Sequence, residues 1–133
     1  MRIYQGTLTL FALLLSTLLA WSAKQPKERV APRSALDLAP ADARQRANPY
    51  AGHPEAALAG KNLFTRHCAQ CHGNEARGRD KAPSLRSSVV QEAAPGALFW
   101  FLKNANLKEG MPAWSRLPDQ QIWQLVSYLR TLH

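Results

Sequence analysis

A chain of 133 residues allows one domain with a tail. Its 17 Lys and Arg against 9 Asp and Glu give a formal charge of +8, which favours an acidic protein partner, an anionic membrane or nucleic acid. The two cysteines exclude a disulfide framework and any metal site or iron–sulfur cluster that needs four thiolates.

The N-terminus reads as an export signal. Met1-Arg2 is a short basic opening, Leu8 to Ala20 is nearly all apolar, and Ala20-Trp21-Ser22 puts small residues at the −3 and −1 positions of a cleavage site. Residues 1–22 are therefore expected to be a signal peptide. The competing reading is an uncleaved membrane anchor over residues 7–23, with Trp21 at the interface. Lys24, Lys27, Arg29 and Arg33 follow the apolar run and argue against it. Either way the rest of the chain is expected outside the cytoplasm, in the periplasm, with membrane association only if the first segment stays attached. Such a chain carries no RNA- or DNA-binding motif, so nucleic acid is not an expected partner.

Residues 23–52 are rich in Ala, Pro and Arg and are broken by Pro26, Pro32, Pro40 and Pro49. With little aliphatic periodicity, they are expected to form an extended, mostly disordered linker. The globular part is expected over 53–133. Pro54 suits the first position of a helix with Glu55 in its first turn, running to about His67 and carrying Leu58, Leu63 and Phe64. From Gly73 to Ala94 the chain is polar and irregular, a length that in a small domain usually wraps a ligand. Pro95-Gly96 opens a short apolar helix through Leu102, and a second irregular stretch contains Gly110-Met111-Pro112. Pro118 and Asp119 open the last helix, where Ile122, Leu125, Val126, Leu129 and Leu132 recur at helical spacing. No stretch alternates with period two, so the expected fold is all-α. Three helices bury a thin core, which a flat apolar macrocycle would complete.

Cys68-Ala69-Gln70-Cys71-His72 has the Cys-x-x-Cys-His spacing of covalent c-type haem attachment. Two thiols one helical turn apart can each add to a vinyl group of one porphyrin, and the following His72 is placed to bind the iron. A thioredoxin-like site would need a βαβ pattern. A zinc site cannot be built from His67, Cys68, Cys71 and His72, because immediate neighbours cannot all converge on one ion. Met111, on an irregular loop stiffened by Pro112, is the candidate for the opposite axial position. His53, His67 and His133 are weaker candidates by position. Pro83 is the candidate carbonyl for the second ring nitrogen of His72. Trp100, Trp114 and Trp123 are candidate lining of the haem pocket. Arg66, Arg77, Arg79, Lys81 and Arg86 are either a solvated face or a positive rim that steers an acidic redox partner.

Gly60-x-x-x-Phe64, Cys68-x-x-Cys71-His72-Gly73, Ala82-Pro83-x-Leu85, Gly110-Met111-Pro112-x-Trp114 and Trp123…Tyr128-Leu129 together resemble a class I monohaem cytochrome c over about residues 48–133. The resemblance implies a cytochrome c fold in which Gly60 and Phe64 of the first helix pack on Tyr128 of the last. It also implies one covalent haem c, a proline carbonyl at Pro83 orienting His72, and Met111 as distal ligand. Asn48-Pro49, Gly52, Pro54-Glu55 and Gly96-x-Leu98-Phe99-Trp100 are similar to small exported cytochromes that serve quinoprotein dehydrogenases, and related domains occur in cbb3-type oxidases. One departure is Asn104-Ala105, where many relatives have Asn-Gly. The expected function is that of a single-electron carrier rather than an enzyme, between a periplasmic dehydrogenase or respiratory complex and a terminal acceptor. Two readings stay open: a haem enzyme or gas sensor with a labile Met111, and a haem subunit fixed in a larger respiratory complex.

Overall fold

A computed structural model of the chain describes residues 34–104 and 107–133. The expected signal peptide, the first part of the expected linker and the Ala105 departure lie outside these residues. Among the described residues the fold is all-α, as expected: there are no strands, and one isolated antiparallel bridge joins Arg79 to Ala82. In chain order a 3-10 turn, Ala35–Leu38, is followed by α1 Ala41–Gln45, α2 Pro54–His67, α3 Ala69–His72, α4 Ser88–Gln91, α5 Pro95–Asn104, a 3-10 turn Leu107–Glu109 and α6 Asp119–Leu129.

The three long helices begin where proline allows. Pro54 and Pro95 each occupy a first turn, where a missing N–H costs nothing, and Pro118 sits just before α6. Helix α6 buries Ile122, Leu125 and Val126 completely or nearly so. Its main partner is α2, and the crossing is made at Gly60 and Phe64. A Cβ on Gly60 would lie 2.0 Å from the carbonyl oxygen of Gln124 and 2.9 Å from Cβ of Tyr128. Only glycine lets the two backbones come so close. One turn on, Phe64 packs on Tyr128 with ring centroids 5.3 Å apart, so the packing implied for Gly60, Phe64 and Tyr128 is present.

The expected linker needs a correction. Residues 34–52 do not run free but lie as a strap against α5 and α6, with Leu36, Ala39, Ala43 and Asn48 buried. The Asn48 amide donates to the Trp123 carbonyl at 3.3 Å and to the Ser127 hydroxyl at 2.9 Å, while its own oxygen accepts the Tyr50 N–H at 2.9 Å. Arg46 lays its guanidinium 4.4 Å above the Phe99 ring, which in turn stacks on Trp123 at 4.3 Å. Gly96 admits the strap, since a Cβ there would meet the Ala43 carbonyl at 1.9 Å. Pro40 stands just before α1 instead of breaking the strap, and the 3-10 turn and α1 both pack on α5.

Candidate haem-attachment site

Helix α2 ends by delivering the chain into the motif. The N–H of Cys68 closes the helix on the Phe64 carbonyl at 2.8 Å, and α3 starts at once, so Cys68, Cys71 and His72 share one turn. The N–H of Cys71 and of His72 both donate to the Cys68 carbonyl, at 3.1 and 2.9 Å. Cys68 is half-buried against the core and Cys71 is exposed. Burial, and secondarily the charge of Cys71, push the Cys68 thiol up to about 11. Its surroundings are therefore too apolar to suit a thiolate, and a thioether, which has no proton to lose, suits them well.

His72 is buried, with 9% of its surface exposed. Its Nδ1 lies 2.9 Å from the Pro83 carbonyl oxygen, and as an N–H donor there it leaves Nε2 for a metal. The loop that brings Pro83 round is held at several points. Gly78 N–H donates to the His72 carbonyl at 2.9 Å, Leu85 N–H to Ala76 at 2.9 Å, and Arg79 and Ala82 exchange bonds at 3.1 and 2.8 Å.

The Met111 loop is fastened through Trp114, three residues on. Trp114 N–H donates to the Leu102 carbonyl at the end of α5, at 2.9 Å. The Trp114 ring packs on His67, the residue before Cys68, with centroids 5.1 Å apart and planes at 54°. This contact places the loop beside the mouth of the haem motif. Met111 itself is half-buried against the same apolar cluster as Cys68, Leu85, Phe101, Trp114 and Leu117. Those half-covered side chains offer apolar surface to a flat macrocycle, so the residues present fit the group.

The other expectations divide. Of the tryptophans, Trp114 lies at this rim, whereas Trp123 is core, stacked on Phe99 under Arg46. His53 is exposed and pairs with Glu55 at 2.8 Å. His133 lends its backbone oxygen to Arg86 at 2.7 Å. A groove of about 420 Å³ lined by Tyr50, His53, Pro95, Val126 and Arg130 shares no residue with the haem motif. The His67–Trp114 clasp was not legible beforehand: nothing in the spacing of an isolated His and a loop Trp pairs them.

Residues 55–129 match the family model described as cytochrome c oxidase, cbb3-type, subunit III. The chain is 34% identical over 92 residues to cytochrome c550 of Pseudomonas aeruginosa, covering 64% of this chain and 61% of that protein. It is 36% identical over 83 residues to the cbb3-type cytochrome c oxidase subunit FixPc of Rhizobium leguminosarum bv. viciae, covering 59% of this chain and 29% of that one. Against cytochrome c6 of Bryopsis maxima it is 32% identical over 74 residues, which is 84% of that protein. The chain thus spans less than two thirds of the first two relatives. No solved structure matches. The chain belongs to the cbb3-type subunit III family of cytochrome c domains and is a class I monohaem c-type cytochrome. Its cofactor is haem c, with Cys68 and Cys71 as the attachment pair.

Proposed function

We propose that this cytochrome is an exported electron shuttle whose iron is held axially by His72 and Met111. The single observation that carries the proximal side is the 2.9 Å contact of His72 Nδ1 with the Pro83 carbonyl. It fixes the tautomer and orientation of the ring and raises the basicity of Nε2. On the distal side the reading rests on Met111, half-buried on a loop tied to α5 and to His67. When bound, the haem supplies a one-electron ferric–ferrous couple, whose potential a thioether ligand raises by favouring the ferrous form. The chain's own part is to orient His72, to hold the Met111 sulfur by bracing its loop, and to keep water off the site with Leu85, Phe101, Trp114 and Leu117. With His72 and Met111 both holding the iron, a substrate would find no open position on it. A ferric optical spectrum tests this reading: the weak far-red sulfur-to-iron band is expected in the native protein and should vanish in Met111→Ala, with the potential falling. A native spectrum without that band would remove Met111 from the site.

The partner in this reading is an acidic redox protein, such as a quinoprotein dehydrogenase or a terminal oxidase. Three of the five basic residues near the motif are engaged within the chain. Arg77 pairs with Glu75 at 2.8 Å, Arg86 donates to the Glu75 and His133 carbonyls, and Arg66 to the Asn62 carbonyl. Arg79 and Lys81 are exposed on the turn just before Pro83 and form no ion pair with any described residue. Reversing both, Arg79→Glu with Lys81→Glu, should slow electron exchange with an acidic partner by about tenfold at low salt and flatten its salt dependence. A stopped-flow rate unmoved by either salt or the reversals would dismiss the steering role.

A second reading is a haem subunit fixed in a larger complex, favoured by the subunit III family match and the similarity to FixPc. N-terminal sequencing of the native protein, and its release without detergent, separate the two. No helix among the described residues is long and apolar enough to cross a membrane.

A further inference from the structure

We infer that Gly78 is the positioning residue that holds the Pro83 carbonyl on His72 and so sets the reduction potential. The inference rests on the proposed ligation by His72, and extends it to a residue that supplies no iron ligand in that reading. Three observations converge on this glycine. Its N–H donates to the His72 carbonyl at 2.9 Å, so it is tied to the backbone of the same residue whose ring it helps to orient. Its φ is +86°, in the left-handed region where a Cβ is strained. Most telling, a Cβ built on it would lie 2.7 Å from the Ala82 oxygen, 2.8 Å from the Ser84 nitrogen and 2.9 Å from the Pro83 carbonyl carbon. The peptide that supplies the acceptor for His72 Nδ1 therefore rests directly on the bare face of Gly78.

The consequence is mechanical. Any side chain at 78 must push the Pro83–Ser84 peptide back by roughly half an ångström to reach ordinary contact. That is enough to spoil a hydrogen bond of 2.9 Å, because such bonds weaken steeply beyond the usual range. With a weaker acceptor on Nδ1, the imidazole is a poorer electron donor through Nε2. Ferric iron loses more from that than ferrous, so the potential rises. The Arg79–Ala82 bridge and the Leu85-to-Ala76 bond close the loop on either side, leaving the peptide little other route of escape.

The experiment compares Gly78→Ala with Gly52→Ala in the haem-loaded protein. Gly52 has a similar φ of +79°, yet nothing lies within 4 Å of a Cβ placed there, so it reports backbone strain alone. Both variants should lose stability. Only Gly78→Ala should raise the potential, speed exchange of the His72 Nδ1 proton in NMR, and still keep the far-red band. Should Gly78→Ala yield no holoprotein, Pro83→Gly frees the same carbonyl while removing only an exposed ring, and the potential should move the same way. An unchanged potential with native Nδ1 proton exchange, or an equal shift in Gly52→Ala, overturns the role of Gly78. A native protein that lacks the far-red band would instead strike at the axial ligation by Met111, and the Nδ1 proton would still report on Gly78.

Discussion

Gly60→Ala should be among the most damaging single substitutions in this protein. The added methyl would sit 2.0 Å from a backbone oxygen of α6, not from the end of a side chain that could swing aside. The α2–α6 crossing must then open by more than an ångström, and the fully buried Phe64, Ile122, Leu125 and Val126 lose contact together. Overpacking commonly costs about 1–3 kcal/mol and more where backbone is struck. We expect about 3 kcal/mol or more, a large share of the roughly 5–15 kcal/mol that a domain possesses. Denaturant unfolding of the holoprotein measures it. A loss below about 1 kcal/mol would show that the helices can separate cheaply, contrary to the packing described.

Replacing both Cys68 and Cys71 by alanine should remove the haem from denatured protein entirely. Thioethers make the cofactor part of the chain, so its local concentration survives any opening of the fold. Without them, retention depends on axial ligation and a half-covered apolar rim. Pigment that native protein keeps in acidified acetone should then pass into the solvent, and little holoprotein should accumulate. The single variants should differ in stability. Cys68 packs against the core, so Cys68→Ala also costs buried contacts, whereas Cys71 is exposed and its replacement costs only the bond. Pigment still bound after extraction of the double variant would contradict attachment at these thiols.

How far the sequence carried the reading differs by element. Helices α2, α5 and α6 were legible because proline marks each start and the apolar residues of α6 recur at helical spacing. The Phe64–Tyr128 contact came through the resemblance, not through periodicity. The strap was not legible. Its four buried residues are scattered among prolines and charges, and the Asn48 side-chain N–H groups find their acceptors in α6, far along the chain. Nothing in the sequence singles out Arg46, and its place over Phe99 and Trp123 exists only after folding. The four-residue α4 was equally hidden. Arg130, from the end of α6, donates to the Val90, Gln91 and Ala93 carbonyls around its C-terminus, a long-range cap no local pattern announces.

At the site, residue types and their spacing pointed to Cys68, Cys71 and His72 directly, because the chemistry demands that spacing. Gly78 reads in the sequence only as a break in the irregular loop, for the opposite reason. Its contribution is a missing side chain, and only the approach of Pro83 from across the loop gives that absence a meaning.

The strap also redraws what counts as one portable piece of this protein. A truncation or fusion that begins at the first residue of α2 would uncover the Trp123–Phe99 stack and leave Ser127 without the Asn48 amide. The smallest transplantable unit therefore opens near Ser34, and any tether spliced upstream inherits a docked anchor point rather than a loose end.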